Sequence, residues 1–154
     1  MILTFMNMMA VALTASLLPG GWVPAPQESF DRPAGVLCDV PIHVEAAVDE
    51  VVSKDVPGGT IYKGKLVERV TNTGTGRYTD ADASGTAYVQ TAADGTQTWY
   101  VAGPVLIGYR EGAGSLPRGL YLIDGVFRLV LAPDGHKELT MVRGSTRNLC
   151  PLVS

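Results

Sequence analysis

The sequence predicts an all-β domain: an antiparallel barrel of about eight strands, with a β-sandwich as the alternative, closed by one disulfide between Cys38 and Cys150. Three observations predict it. From residue 37 onward, short segments rich in Val, Thr, Tyr, Ile and Leu alternate with Gly, Asp and Pro punctuation, the spacing of antiparallel strands joined by tight turns. No window sustains a helical period. The chain has 2 cysteines, one near each end of this region, where a closing bridge belongs.

In chain order, the first element is an export signal. Residues 1–31 contain no Lys or Arg, and residues 2–18 are apolar except for Thr4, Asn7, Thr14 and Ser16, ending at Pro19, Gly20 and Gly21. This is the apolar region and exit of a secretory signal peptide, without the usual basic start. The signal is placed over residues 1–25, with Val23 and Ala25 preceding the cut, and a linker over 26–36. An uncleaved anchor needs ~20 apolar residues, which the run barely reaches. The expectation is therefore a secreted, extracellular protein with no membrane contact once the signal is removed. Residues 37–154 are the length of one domain with one core.

Candidate strands cover residues 40–48, 60–71, 84–92, 96–102, 105–110, 120–123, 126–132 and 136–143. Residues 44–52 also carry apolar side chains at helical spacing, but a strand is preferred there. Turn chemistry tests the register, because a one-residue slip sends every side chain to the opposite face. A three-residue loop at Pro133, Asp134 and Gly135, with the glycine left-handed, sets Leu129 opposite Leu139, Phe127 opposite Met141, Val130 opposite Glu138 and Arg128 opposite Thr140. The same loop at Ala93, Asp94 and Gly95 sets Val89 opposite Trp99, Ala87 opposite Val101 and Gln90 opposite Thr98. At Asp124 and Gly125, a two-residue turn is expected, setting Leu122 against Phe127 and Leu120 against Leu129. About eight strands with short hairpins favour a closed barrel, since closure removes exposed edges. Closure also requires the Cα atoms of Cys38 and Cys150 to lie within ~7 Å.

Composition narrows the function. The formal net charge of -3 leaves no basic surplus for phosphates, so nucleic acid is not an expected partner. In an exported chain the cysteines read as a structural disulfide; there is no CxxC spacing, and neither His43 nor His136 stands in a pattern with a cysteine. Asp80, Asp82 and Ser84, followed by Gly85, match the first half of a calcium loop, but Thr91 stands where the bidentate acid belongs. A polar turn with side-chain-to-backbone hydrogen bonds is preferred over a metal site. Residues 59–65 share the glycine and lysine spacing of a phosphate loop, yet Leu66 replaces the magnesium-binding hydroxyl. Ser115 lacks a nucleophile elbow. Residues 112–119 are expected to be a flexible connection carrying Arg118 after Pro117.

On the 60–71 strand, Tyr62, Gly64, Leu66, Glu68 and Val70 share one face, opposite Lys63, Lys65 and Arg69. A carboxylate enclosed in a barrel can serve as a general acid or base, so Glu68, with Tyr62 to orient a ligand, is the candidate catalytic pair. No complete catalytic set accompanies it, and no cofactor is expected.

Cys38, the loop from Thr71 to Gly76, the repeated Asp-Gly turns and the closing Asn148, Leu149 and Cys150 resemble a broad group of small secreted β-domain proteins of high-GC Gram-positive bacteria. The resemblance spans most of residues 37–152 and implies secretion and a β domain. The leading expectation is a secreted non-catalytic module binding a small ligand or an extracellular protein. The alternative is a small barrel enzyme of the isomerase or cyclase type, using Glu68.

Overall fold

Alternating apolar residues and glycine-bearing turns produce twelve strands in the computed structural model, which describes residues 19–154. The strands are β1 (Val23–Pro24), β2 (Phe30–Arg32), β3 (Ile42–Asp49), β4 (Val52–Val56), β5 (Gly59–Lys63), β6 (Leu66–Asn72), β7 (Tyr78–Asp82), β8 (Thr86–Thr91), β9 (Gln97–Ala102), β10 (Val105–Tyr109), β11 (Gly119–Leu131) and β12 (Lys137–Asn148). Besides these, regular structure among the described residues is two short 3-10 turns, Pro19–Gly21 and Cys150–Leu152. The larger sheet runs β1-β4-β5-β8-β9-β11-β10, with β12 on β11, and the smaller runs β2-β3-β6-β7. No ladder closes either sheet among the described residues. The architecture is sandwich-like, and the expected closed barrel is not formed.

Residues 1–18 of the expected signal lie outside the described residues. Its last residues, 22–25, are in the large sheet: β1 pairs with β4, Ala25 N–H donates to Val51 O at 2.9 Å, and Lys63 Nζ sits 4.2 Å from the centre of a Trp22 ring. The expected linker 26–36 also contributes structure, since β2 pairs with β3.

Both three-residue loops form as expected. Gly95 and Gly135 adopt φ of 89° and 95°, and Asp94 and Asp134 each accept the N–H two residues on, at 2.9 Å. Asn and Asp side chains favour such turns because they imitate a backbone carbonyl, and glycine alone accepts the left-handed position without strain. The resulting registers are those expected: Val89 faces Trp99, Ala87 faces Val101, Phe127 faces Met141 and Leu129 faces Leu139.

Besides the barrel, two expectations of strand and turn placement fail, both at glycines. The segment 60–71 is two strands in different sheets. Between them Gly64 has φ of 133°, and a Cβ there would lie 2.2 Å from Glu50 O. The β3–β4 and β5–β6 crossings run side by side at this point, with Glu50 N–H donating to Lys65 O at 2.8 Å. The second failure is at Asp124 and Gly125, where no turn forms. Gly125 lies inside β11, opposite Gly144 on β12, and its carbonyl accepts from Gly103 N–H at 2.7 Å. A Cβ at Gly125 would meet Arg143 O at 2.0 Å, and one at Gly144 would meet Asp124 O at 2.0 Å. Three glycines, Gly125 and Gly144 on paired strands and Gly103 just after β9, thus let the sheet bend where side chains would hold the backbones apart. Before the bend β11 pairs with β10, and after it with β9.

The bend separates two cores. One lies between the sheets and contains Ile42, Val44, Leu66, Val70, Leu106, Leu120, Leu149 and the disulfide. The other lies in the curl of the large sheet and contains Val89, Trp99, Ile107, Tyr109, Ile123, Phe127 and Leu129. β10 and the first half of β11 face both, which is why Leu120 serves one core and Tyr121 the other. Cys38 and Cys150 are bonded, with Cα atoms 5.4 Å apart. The expected distance is met without a barrel, because the bridge joins the β2–β3 connection of one sheet to the segment after β12 of the other.

Candidate functional site

The bend brings distant loops together. The segment after β10 folds back onto the start of β12: Gly114 bridges Lys137, Ser115 N–H donates to Lys137 O at 3.1 Å, and Lys137 N–H donates to Ala113 O at 2.8 Å. Ser115 Oγ accepts from Leu139 N–H at 2.8 Å and donates to Glu138 Oε2 at 2.9 Å. A Cβ at Gly114 would stand 1.8 Å from Lys137 O. The glycine expected to make this connection flexible instead lets it dock. Arg118 pairs with Asp39 and approaches Glu111 at 3.9 Å, so it is tied to the segment beside Cys38.

Where this docked loop meets the edge of the small sheet, a cleft of about 570 Å³ opens. Its apolar side is Phe30, Leu37, Leu106 and Leu120, from both sheets. Gly108 completes it, and a Cβ there would press to 2.9 Å on Leu37. Three cations line the same cleft: Arg32 from the end of β2, Arg110 after β10 and Lys137 at the start of β12. A more open hollow beside it shares Arg32, Arg110 and Glu111. Arg32 lies 4.7 Å above the Phe30 ring, and its Nη1 donates to Asp31 O at 2.8 Å. Burial, then the charge of Arg110, lowers the pKa of Arg32. Burial, then Arg110 and Arg32, lowers that of Lys137, whose residue is only 7% exposed. The Lys137 ammonium stands 5.7 Å from the centre of the Tyr109 ring.

The acids nearby have partners of their own, although Asp31 also acts on Arg32 through space, raising its pKa. Asp31 Oδ1 meets His43 Nδ1 at 2.8 Å, Asp134 accepts its own loop's N–H, and Glu111 faces Arg118. His136, at the rim, meets Glu138 at 2.6 Å. Among the cleft's described lining residues there is no Ser, Thr or Cys to act as a nucleophile. The lining thus offers charged hydrogen-bonding groups of both signs, Arg32, Arg110 and Lys137 with Glu111 and Asp134, beside apolar side chains.

The candidate catalytic pair does not assemble. Tyr62 lies on β5 against the curled core, stacked on Trp99 at 6.2 Å, and burial raises its pKa. Glu68 lies on β6, between Ala46 and Ala81 in register, 0% exposed. Neither of its oxygens has a hydrogen-bond partner among the described residues, and burial, reinforced by Asp49, pushes its pKa up to about 7. Glu68 is enclosed, as the barrel-enzyme alternative asks, but it does not line the cleft.

Asp80, Asp82 and Ser84 do not converge. Arg69 donates to both oxygens of Asp80, at 2.8 and 2.9 Å, which lowers the Asp80 pKa. Asp82 accepts from Ser84 N–H at 2.9 Å, and Ser84 Oγ turns inward to accept from Leu66 N–H at 2.9 Å. Asp80 and Asp82 lie on β7, and the Asp82–Ser84 hydrogen bond stands where the chain leaves that strand for β8. Arg32, Arg110 and Lys137 are the residues that sequence reasoning missed; they sit in the supposed linker, at a strand end and after a turn, with nothing local to connect them.

Compared with known proteins, the chain matches no family model, no curated sequence and no solved structure.

Proposed function

We propose that this is a secreted, non-catalytic binding module that holds a small ligand in the cleft between the docked loop and the small sheet. The cleft itself carries the proposal: its volume falls in the ~300–1,000 Å³ range of small-molecule sites, and it combines an apolar floor with a few converging polar groups. Secretion is supported by the Cys38–Cys150 bond, which persists in oxidising compartments. No helix among the described residues is long and apolar enough to cross a membrane. The barrel-enzyme alternative loses its pair, since Glu68 and Tyr62 occupy separate cores.

Two measurements test this. Mass spectrometry of culture supernatant should find the processed chain; an intact N-terminus confined to the cell fraction defeats secretion. An NMR titration of the purified protein with a library of small acids, amides and alcohols should move the Gly108 and Leu120 amide resonances. A library that leaves both unmoved overturns the assignment of the cleft.

A further inference from the structure

We infer that the open face of the curled part of the large sheet binds an anionic polysaccharide, its sugar rings lying on Tyr88 and Tyr100 and its acidic groups meeting Lys54 and Arg128. Side chains alternate along each strand, so Ala87, Val89, Trp99, Val101, Phe127 and Leu129 fill the curl while Tyr88, Tyr100 and Arg128 face outward. Register aligns the outward set into one row across six strands: Lys54 pairs with Ile61, Ile61 with Tyr88, Tyr88 with Tyr100, Tyr100 with Arg128 and Arg128 with Thr140. At ~4.8 Å between strands the row is about 24 Å long, the reach of an oligosaccharide rather than of a single sugar. None of these residues lines the cleft.

The rings in the middle of the row are set for stacking. Tyr88 lies across the neighbouring strand, since a Cβ at Gly59 would meet its ring at 2.7 Å. Its hydroxyl donates to Pro57 O and accepts from Gln90 Nε2, each at 3.3 Å. Tyr100 is within 23° of parallel to it, with ring centres 6.2 Å apart, and is 47% exposed. Aromatic faces are electron-rich and attract the C–H groups on the flat side of a sugar ring, while Gln90, Thr98 and Thr140 on the same face can pair with the hydroxyls of its rim. Charge then selects an acidic sugar. Lys54 and Arg128 bracket the rings, Lys63 follows Ile61 by two residues on β5, and Arg143 stands opposite Val126. None of these four cations makes a salt bridge among the described residues, in a chain whose net charge is -3. Of the acids at the margin of this face, Glu138 is held by His136 at 2.6 Å and by Ser115 at 2.9 Å, and Asp124 stands at the bend. An acidic peptide would find the backbone groups of these strands already paired within the sheet, and a nucleic-acid strand calls for a cationic groove along its backbone rather than cations bracketing an open row.

The test is NMR titration of the intact protein with oligogalacturonate, hyaluronan oligosaccharide and phosphorylated dextran, each beside its uncharged form (the methyl esters and plain dextran), and with polyglutamate and oligodeoxythymidylate. At least one acidic saccharide should move the amide resonances of Tyr88, Tyr100 and Arg128 while leaving those of Gly108 and Leu120 in place, and its affinity should fall at high salt. Its uncharged form should bind at least about tenfold more weakly. Tyr100→Ala should weaken both forms about tenfold, whereas Lys54→Gln with Arg128→Gln should weaken only the acidic form, by about tenfold. Tyr100 and Arg128 are exposed, so these variants keep the fold, which thermal melting checks. An uncharged form binding as tightly as its acid would overturn the inference. Polyglutamate or oligodeoxythymidylate binding as tightly as the best saccharide would overturn it too, by assigning the face to an acidic peptide or a nucleic acid, and so would shifts confined to Gly108 and Leu120. If none of the acidic saccharides moves Tyr88, Tyr100 and Arg128, the inference falls and the small-ligand reading of the cleft still stands.

Discussion

The core in the curl of the large sheet and the core between the sheets are built on different terms. In the curl, Val89, Trp99, Phe127 and Leu129 meet as partners in neighbouring hairpins, each hairpin specified by its own glycine loop. Among the described residues, the buried polar atom left without a partner there is the Tyr109 hydroxyl. Between the sheets, side chains from Leu37 to Val153 must be gathered across two crossings, and two polar side chains are buried with them. Asn72 is satisfied, donating to Val153 O and accepting from Gly74 N–H, both at 2.9 Å; Glu68 is not. A core assembled from local pairs holds itself in register, whereas one assembled from distant segments needs a covalent tie to limit the unfolded chain.

That difference is open to measurement. Replacing both cysteines, Cys38→Ser with Cys150→Ser, frees a loop with sequence separation 112. It should lower unfolding free energy by about 4.7 kcal/mol in the chain-entropy model. Hydrogen exchange should then show β3 and β6 losing protection before β8 and β9, and equal losses in both regions would erase the distinction between the cores.

Gly125→Ala attacks the bend between them. Its Cβ would collide with backbone rather than with a movable side chain, so a loss of about 3 kcal/mol or more is expected by denaturant titration. A near-neutral result would mean that the bend does not depend on the three facing glycines.

Glu68→Met should sharpen the contrast by making the inter-sheet core as apolar as the other. With the folded pKa raised to about 7 from 4.5, the folded state binds the extra proton between those values, so Glu68's contribution to stability is present below 4.5 and lost as pH rises through 7. The variant's gain over the parent should therefore be larger at about pH 8 than at about pH 4, by about 3 kcal/mol. Urea titrations at the two pH values check it, and a pH-independent gain would refute buried ionisation.

The smallest effect belongs to the curl. Gly95→Ala meets only Pro133 Cγ, at 3.7 Å, so its cost is that of a left-handed alanine, about 1 kcal/mol. A thermal melt reads this, and a much larger loss would show that the loop does more than set register.

Sequence alone determined what neighbouring residues decide: the all-β class, both glycine-loop hairpins with their facing pairs, and the cysteine pair. Each follows from a local rule, because a turn type and the alternation of side chains leave only one register that keeps the apolar residues together. The division into two sheets, the bend and the cleft belong to the tertiary structure. Gly64 and Gly125 carry the same letter as a turn glycine, but their role is to admit another backbone, and that backbone comes from a distant part of the chain. Glu68 was legible as an inward-facing residue by its period of two, though not that Tyr62, on the same expected strand, would enter the other core. Arg32, Arg110 and Lys137 acquire a common meaning only when the sheet folds over, since charge acts through space and the chain order says nothing of which cations will share a cleft.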